Sequence, residues 1–141
     1  MFYIHPQLEK DTFLLGRFPL SIALLMNDMN WPWIVLVPER EGAREIYDMY
    51  ESDQVQLLRE SASLARAMAL GFAAEKMNIA MLGNVVPQLH VHHIVRHNND
   101  PAWPAPVWGK LPARPYSPAE RDAMINKLKS LGIKGLKFAA G

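Results

Sequence analysis

Four short runs, three mainly apolar and the fourth with histidines among its apolar residues, constrain the fold of this chain most strongly, and one long amphipathic stretch divides them into two pairs. The runs occupy residues 20–27, 34–37, 78–82 and 88–95, and each has proline, glycine or asparagine at or next to a boundary. Runs of this length with such boundaries are typical of β-strands. The short segments within each pair favour antiparallel pairing, and residues 13–15 are a candidate fifth strand at the sheet edge.

The stretch between the two pairs predicts a long helix over residues 53–74. Ser52 is the expected N-cap, and Asp53 in the first turn would favour the helix dipole. The apolar residues that recur at helical spacing are Val55, Leu58, Ala62, Ala65, Ala69 and Phe72.

A second helix is predicted over residues 117–131. Ser117 and Glu120 form a capping-box pattern, Pro118 occupies the first helical position and Gly132 follows the end. The order strand, strand, long helix, strand, strand predicts an α+β fold. We expect an antiparallel sheet of about five strands with the long helix packed on one face, plus the C-terminal helix.

Length and composition narrow the class of protein. The 141 residues fit one domain, for which we predict a core over residues 12–97 and a C-terminal arm and helix over residues 98–141. A formal net charge of +1 argues against binding to bulk nucleic acid or to a membrane surface. The chain has no cysteine, which excludes disulfides and thiolate metal sites. No apolar run is long enough to span a bilayer, so a cytoplasmic location is the expectation.

Four of the five histidines lie between His90 and His97. Alternate side chains of a strand point to opposite faces, so Gln88, His90 and His92 should share one face. The other face would carry Leu89, Val91, His93 and Val95, and its apolar character indicates the core. The rings of His90 and His92 would then lie roughly 6–7 Å apart, within reach of one phosphate-sized ligand.

Imidazole chemistry gives this pair a function. A neutral histidine is a good nucleophile towards phosphorus, and a second, protonated histidine can stabilise the phosphate or protonate the leaving group. His93, His97 and His5 are interpreted as packed or solvent-facing residues.

The segment resembles the motif of the histidine-triad family, His-φ-His-φ-His-φ-φ with φ apolar. Gln88 takes the first place, as in a bacterial-type branch of the family, His90 the second and His92 the third. The resemblance implies that His90 is the nucleophile and that His92 contacts phosphate oxygens and assists the leaving group. A register shifted by two would make His92 the nucleophile, but it would place Ile94, which has no proton chemistry, third. The preferred register also puts Arg96 where the family often has arginine.

The same resemblance implies a substrate-binding set. Gln88 keeps a hydrogen-bonding side chain, and the Asn84 amide lies where the family usually has a glutamine that touches phosphate. After the first strand the family has an acid or amide that binds ribose hydroxyls, for which Asp28 is the first choice and Asn27 the second. The alternative interpretation of Asn27 and Asp28 is a plain turn-forming pair.

The family relationship implies a nucleotide hydrolase or transferase that cleaves at the α-phosphorus through a nucleotidyl-histidine intermediate. The resemblance also implies an enzyme that needs no cofactor or metal. Because family members commonly dimerise through the sheet edge and the long helix, it implies a homodimer as well. Two other interpretations stay open: a nucleotide-binding module without turnover, and a metal-binding His-x-His strand with His97 and Asp100 as further ligands. The Trp-rich segment, residues 103–109, is either a lid over the site or a segment packed on the surface.

Overall fold

A computed structural model describes residues 1–140, which form a six-stranded antiparallel sheet with helices. The order across the sheet is β4-β5-β3-β2-β1-β6. The elements in chain order are α1 (Pro6–Asp11), β1 (Thr12–Arg17), β2 (Ser21–Met26), β3 (Trp33–Pro38), a short 3₁₀ helix (Ile46–Asp48), α2 (Glu51–Gly71), β4 (Lys76–Ala80), β5 (Val91–Arg96), α3 (Pro118–Lys129) and β6 (Lys137–Phe138).

The expected α+β fold is confirmed, with a sixth strand added. The predicted strand at residues 13–15 is confirmed as part of β1, where Phe13 and Leu14 pair with β2. β6 pairs with the end of β1, at Gly16 and Arg17, and is the last strand on that side of the sheet. Gly16 permits this pairing, because a Cβ at that position would collide with the carbonyl group of Lys137. The irregular register between Leu14 and Gly16 accommodates the same close approach.

The helix ends match the sequence expectation at α3 and differ at α2. Ser117 and Glu120 form the reciprocal capping box of α3, as expected. The α2 helix starts at Glu51, and its N-cap is Tyr50 rather than Ser52. Ser52 therefore lies inside the first turn.

One face of the sheet packs against α2 and α3. The buried residues there include Leu25 and Ile34 from the sheet, Leu64 and Met68 from α2, and Leu128 from α3. Their mutual burial removes apolar surface from water and stabilises the helices on the sheet. This face has the arrangement that the sequence predicts, with the long helix across the strands.

The opposite face is also covered. Its apolar residues pack against Leu8 of α1, against residues near the N-terminus, and against Ala102 and Val107 from the segment between β5 and α3. We call that segment, residues 97–117, the arm. Both faces of β5 are therefore buried, rather than one buried and one open.

The sequence pattern predicts a strand that starts at residue 88, but β5 starts at Val91. Pairing with β3 ends at Leu36 opposite Val91, and pairing with β4 ends at Ala80 opposite His92. Residues 88–90 have no complete ladder on either side and lead into the strand as irregular backbone. Within residues 1–140, no helix combines the length and apolar character needed to cross a membrane.

Candidate functional site

His90, the residue before β5, and His92, the second residue of β5, lie side by side and line one cavity of about 430 Å³. Their ring centroids are 4.9 Å apart, closer than strand spacing alone predicts. Both side chains are well covered, with exposed fractions of 6% and 4%. The other lining residues are Gln7, Leu8, Asp11, Met26, Trp33, Leu82, Gly83, Asn84, Val85, Val86 and Trp108.

The backbone fixes the tautomer of His90. Its Nδ1 atom lies 2.7 Å from the carbonyl oxygen of Gln88. A carbonyl oxygen only accepts hydrogen bonds, so Nδ1 carries the proton in the neutral ring. The Nε2 atom then has a free lone pair, which is the form of imidazole that attacks an electrophile.

His92 is fixed in the opposite tautomer by a tryptophan. The indole N–H of Trp33 donates to Nδ1 of His92 at 3.0 Å in a buried position. Since Nδ1 accepts, Nε2 carries the proton of the neutral ring. Trp33 and Trp108 also pack edge-on against the His92 ring, with centroid distances of 5.6 and 5.1 Å.

The surroundings keep His92 uncharged. Burial, together with the neighbouring rings of His90 and His93, lowers the pKa of His92 to about 3. The expectation that a protonated second histidine serves this site therefore does not hold for His92 in the free protein. A neutral Nε2–H can still donate a hydrogen bond to a phosphate oxygen.

His93 lies on the other face of β5, as the alternation predicts. It is completely buried, and its Nε2 lies 2.7 Å from the hydroxyl of Ser61 on α2. Burial lowers the pKa of His93 to about 4. His93 is thus a core residue that joins α2 to the sheet.

Gln88 and Asn84, both predicted to bind substrate, occupy different environments. The Gln88 amide accepts from the backbone N–H of His5 and donates to the carbonyl of Tyr3, at 2.8 Å each. It ties down the N-terminal segment and does not line the cavity. Asn84, in the loop between β4 and β5, is exposed and does line the cavity beside the two histidines.

Asn27 and Asp28, the residues predicted to bind ribose, hold the arm in place. Asn27 accepts from the backbone of Tyr116, and Asp28 accepts from the backbone of Arg114. Asp28 also accepts from the N–H of Asn30, as in the turn-forming alternative. Neither residue lines the cavity with His90 and His92.

Three polar or aromatic residues of the cavity wall, Gln7, Asp11 and Trp33, were not predicted from the sequence, whereas Trp108 lies in the Trp-rich segment that was considered as a lid. Asp11 and Gln7 come from α1, a six-residue helix without a strong sequence pattern, and the Gln7 amide donates to Asp11 at 2.7 Å. Trp33 looks like the first residue of a buried strand, and Trp108 belongs to the arm. The one available signal is the pair of tryptophans itself, because buried indole N–H groups usually have a hydrogen-bond partner.

The arm is held by a buried ion pair. Arg96 at the end of β5 bonds to both carboxylate oxygens of Asp100, at 2.7 and 3.0 Å, and also to Asn78 and the carbonyl of Ala105. Burial raises the pKa of the Asp100 carboxyl, but the hydrogen bonds from Arg96 and the backbone outweigh it and hold that pKa below its usual range. The arm is therefore packed against the sheet, with Trp108 in the cavity wall.

The metal-binding interpretation finds no support in the side-chain arrangement. Among residues 1–140, no three histidine, aspartate or glutamate side chains are grouped as metal ligands. Asp100, one of the two proposed extra ligands, is bound to Arg96 instead. His97, the other, contacts the carbonyl of Phe72 through Nε2.

Comparison with known proteins gives a consistent result. A family model of the HIT domain matches residues 7–99. A histidine triad protein from Marinobacter aquaeolei VT8 is 49% identical, with a TM-score of 0.93 over 97% of this chain and 99% of that one. A histidine triad protein from Bradyrhizobium japonicum is 43% identical, with a TM-score of 0.88 over 92% and 96% of the two chains. One from Sinorhizobium meliloti 1021 is 38% identical, with a TM-score of 0.89 over the same shares. No curated protein sequence matches the chain at a significant level.

Proposed function

This chain belongs to the HIT domain family, and on that premise we propose that it cleaves a nucleoside phosphate derivative at the α-phosphorus. HIT proteins generally bind or hydrolyse nucleotides. The observation that supports turnover here is the His90 tautomer, which leaves Nε2 with a free lone pair in a ring that lines the cavity. Phosphoramidates, acyl adenylates and dinucleoside polyphosphates are the candidate substrate classes.

In the proposed reaction, His90 Nε2 attacks the α-phosphorus and forms a nucleotidyl-histidine intermediate. Water or another acceptor then attacks the same phosphorus and returns the electron pair to Nε2. The Nε2–H of His92 and the amide of Asn84 donate hydrogen bonds to the phosphoryl oxygens. Donors that are fixed before the reaction stabilise the transition state without reorganisation.

The nucleoside would extend from the histidines towards α1. Leu8, Met26 and Val86 offer apolar surface for a base, and Asp11 is the one carboxylate among the described residues of the cavity wall. A carboxylate that accepts from two hydroxyl groups suits a ribose. We therefore propose Asp11 for the ribose contact that the sequence assigned to Asp28 or Asn27. Either of those residues would first have to release its bond to the arm.

The proposal is tested with an aryl ester of AMP whose phenolate leaves readily and is coloured. The native protein should release phenolate, and its intact mass should increase by one nucleotidyl group during turnover. His90→Ala should show neither effect. His97→Ala is the matched control, because His97 does not line the cavity, and it should retain both.

A nucleotide-binding module without turnover is the second candidate. It is favoured by the role of Gln88, whose amide is committed to the backbone of the N-terminal segment. AMP binding by calorimetry, combined with no phenolate release and no mass increase, would select this function instead.

We also propose that the chain forms a homodimer through the free edge of β4 and the surface of α2. Large apolar side chains are exposed there, namely Ile79 on β4 and Leu58 and Leu70 on α2. An exposed strand edge with apolar neighbours is a surface that proteins usually cover. Light scattering should give the mass of two chains, and Ile79→Lys should shift it towards one.

A cytoplasmic location and a single domain over residues 1–141 stay predictions.

A further inference from the structure

Two hydrogen bonds give the paired histidines complementary tautomers. His90 donates through Nδ1 to the carbonyl of Gln88, and His92 accepts through Nδ1 from Trp33. Both rings therefore use Nε2 towards a ligand, one with a lone pair and the other with a proton. The carbonyl that fixes His90 belongs to the backbone and cannot be changed by substitution. The indole that fixes His92 can be.

We propose that Trp33 is a positioning residue that holds His92 as a neutral hydrogen-bond donor, so that the site selects leaving groups that depart as stable anions. The class we assign is the mixed anhydride of a carboxylic acid with a nucleoside monophosphate. This inference rests on the proposed function and specifies its substrate class.

A second proton on His92 has no favourable position. It would have to sit on Nδ1, directly against the N–H of Trp33 at 3.0 Å. Trp108 covers the ring from the arm, and His90 is the adjacent titratable group on the same face. Asp11, the one carboxylate of the cavity wall in the described part of the chain, comes from α1 and bonds to Gln7. The lowered pKa of His92 agrees with this geometry.

A neutral imidazole donates hydrogen bonds well, but it is a very weak acid. When His90 attacks a mixed anhydride, the new N–P bond forms and the P–O bond to the acyl group breaks. The electron pair leaves with the carboxylate, which needs no proton. When His90 attacks a phosphoramidate, the departing nitrogen must gain a proton as the P–N bond breaks. Transfer from neutral His92 would leave an imidazolate, so this route lacks its acid.

The charges of the cavity favour an acyl group over a polyphosphate. Within the described residues, the cavity wall contains the carboxylate of Asp11 and no lysine or arginine. A small cleft beyond His90 is lined by Arg44 and Glu45, whose charges oppose each other. A polyphosphate leaving group would carry several negative charges into surroundings with little positive charge, which is costly.

The first test compares three adenosine substrates: an acetyl adenylate, an alkyl phosphoramidate and a dinucleoside polyphosphate. The native protein should give the highest kcat/KM with acetyl adenylate and exceed the phosphoramidate by about 100-fold or more, the usual contribution of a general acid. Trp33→Phe frees Nδ1 of His92 to take up a proton in mildly acidic buffer. Because protonated His92 can supply the proton that the departing amine needs, the ratio of kcat/KM for acetyl adenylate to that for the phosphoramidate should fall. Trp31→Phe removes another buried indole that does not line the cavity, and it should leave the ratio unchanged.

The second test reads the tautomer directly by nitrogen-15 NMR of the histidine rings. Native His92 should show a protonated Nε2 and a bare Nδ1 from neutral to mildly acidic pH, and Trp33→Phe should lose this fixed pattern. Equal kcat/KM for the acyl and amine leaving groups, a ratio unaffected by Trp33→Phe, or a protonated Nδ1 on native His92 would each overturn the inference while the proposed function stands. Turnover of none of the three, nor of the aryl ester, would overturn the proposed function and the substrate preference with it.

Discussion

His92 and His93 are neighbours on one strand, and they show how differently the two faces of this sheet use the same side chain. Both rings are buried, and burial lowers the pKa of each. His93 contacts Ser61 of the long helix and belongs to a closed core. His92 contacts Trp33 and keeps its second nitrogen towards a cavity.

The difference lies in what covers each face. The face towards α2 is filled by apolar side chains from two regular helices. The other face is covered by a six-residue helix and by the irregular arm, which leave a cavity between them. A buried histidine is therefore not by itself a functional residue, since the neighbouring elements decide whether a ligand can reach it.

The largest expected effect separates the two faces by activity. His90→Asn should lower kcat/KM by about 10⁴-fold or more, because it removes the nucleophile. His93→Asn should leave kcat/KM of the folded protein within a few-fold and lower the unfolding temperature instead. Steady-state kinetics and thermal melts on both variants make the comparison. A folded His93→Asn protein without activity would contradict the assignment of His93 to the core.

The core face should dominate the free energy of unfolding. Leu64→Ala removes a completely buried side chain of α2 and should cost about 3 kcal/mol. Leu58→Ala, on the same helix but 69% exposed, should cost less than about 0.5 kcal/mol. Urea denaturation measures both. Similar losses would mean that Leu58 is covered in solution, as in the proposed dimer.

The pH dependence of stability should expose the core histidine. The pKa of His93 is about 4 in the folded protein against an ordinary value of 6.5, so below pH 6.5 the unfolded chain binds the proton first. The contribution of neutral His93 to the free energy of unfolding should be fully present above pH 6.5. It should decline by about 3 kcal/mol as the pH falls towards 4. His92 contributes with the same sign. Urea denaturation of His93→Leu should show a shallower decline than the native protein, and parallel curves would contradict the assignment.

The smallest effect concerns the nucleoside end of the cavity. Asp11→Asn should weaken AMP binding by about tenfold, because a neutral amide accepts hydroxyl donors less strongly. The same variant should bind 2′-deoxy-AMP as the native protein does. Asp28→Asn is the contrasting change, expected to lower stability because Asp28 accepts from two backbone N–H groups. Calorimetric titration that shows the loss in Asp28→Asn and not in Asp11→Asn would return the ribose contact to Asp28.

The fold was largely predictable because its signals are local. Strand runs, the periodic apolar residues of α2 and the capping box of α3 each lie within a few residues of the element they define. β6 was missed because its two residues pair with β1 only through the close approach at Gly16. That contact joins positions far apart in sequence.

The site was predictable where the motif is contiguous and missed where it depends on distant contacts. His90, His92 and Asn84 were named and are brought together on one cavity. The role of Gln88 depends on the backbone of Tyr3 and His5, more than eighty residues away. The state of His92 depends on Trp33, which the sequence presents as an ordinary buried strand residue.

The hydrogen bonds between the Gln88 side chain and the backbone of the N-terminal segment also decide where the protein can be attached to a surface. Residues 3 and 5 are hydrogen-bonded to a side chain two positions before His90, so a change within residues 1–5 is expected to disturb the backbone that orients the nucleophile. The C-terminal strand β6 lies four strands from β5, roughly 19 Å across the sheet. A surface linkage for immobilised assays is therefore expected to disturb the nucleophile less near β6 than near residues 1–5.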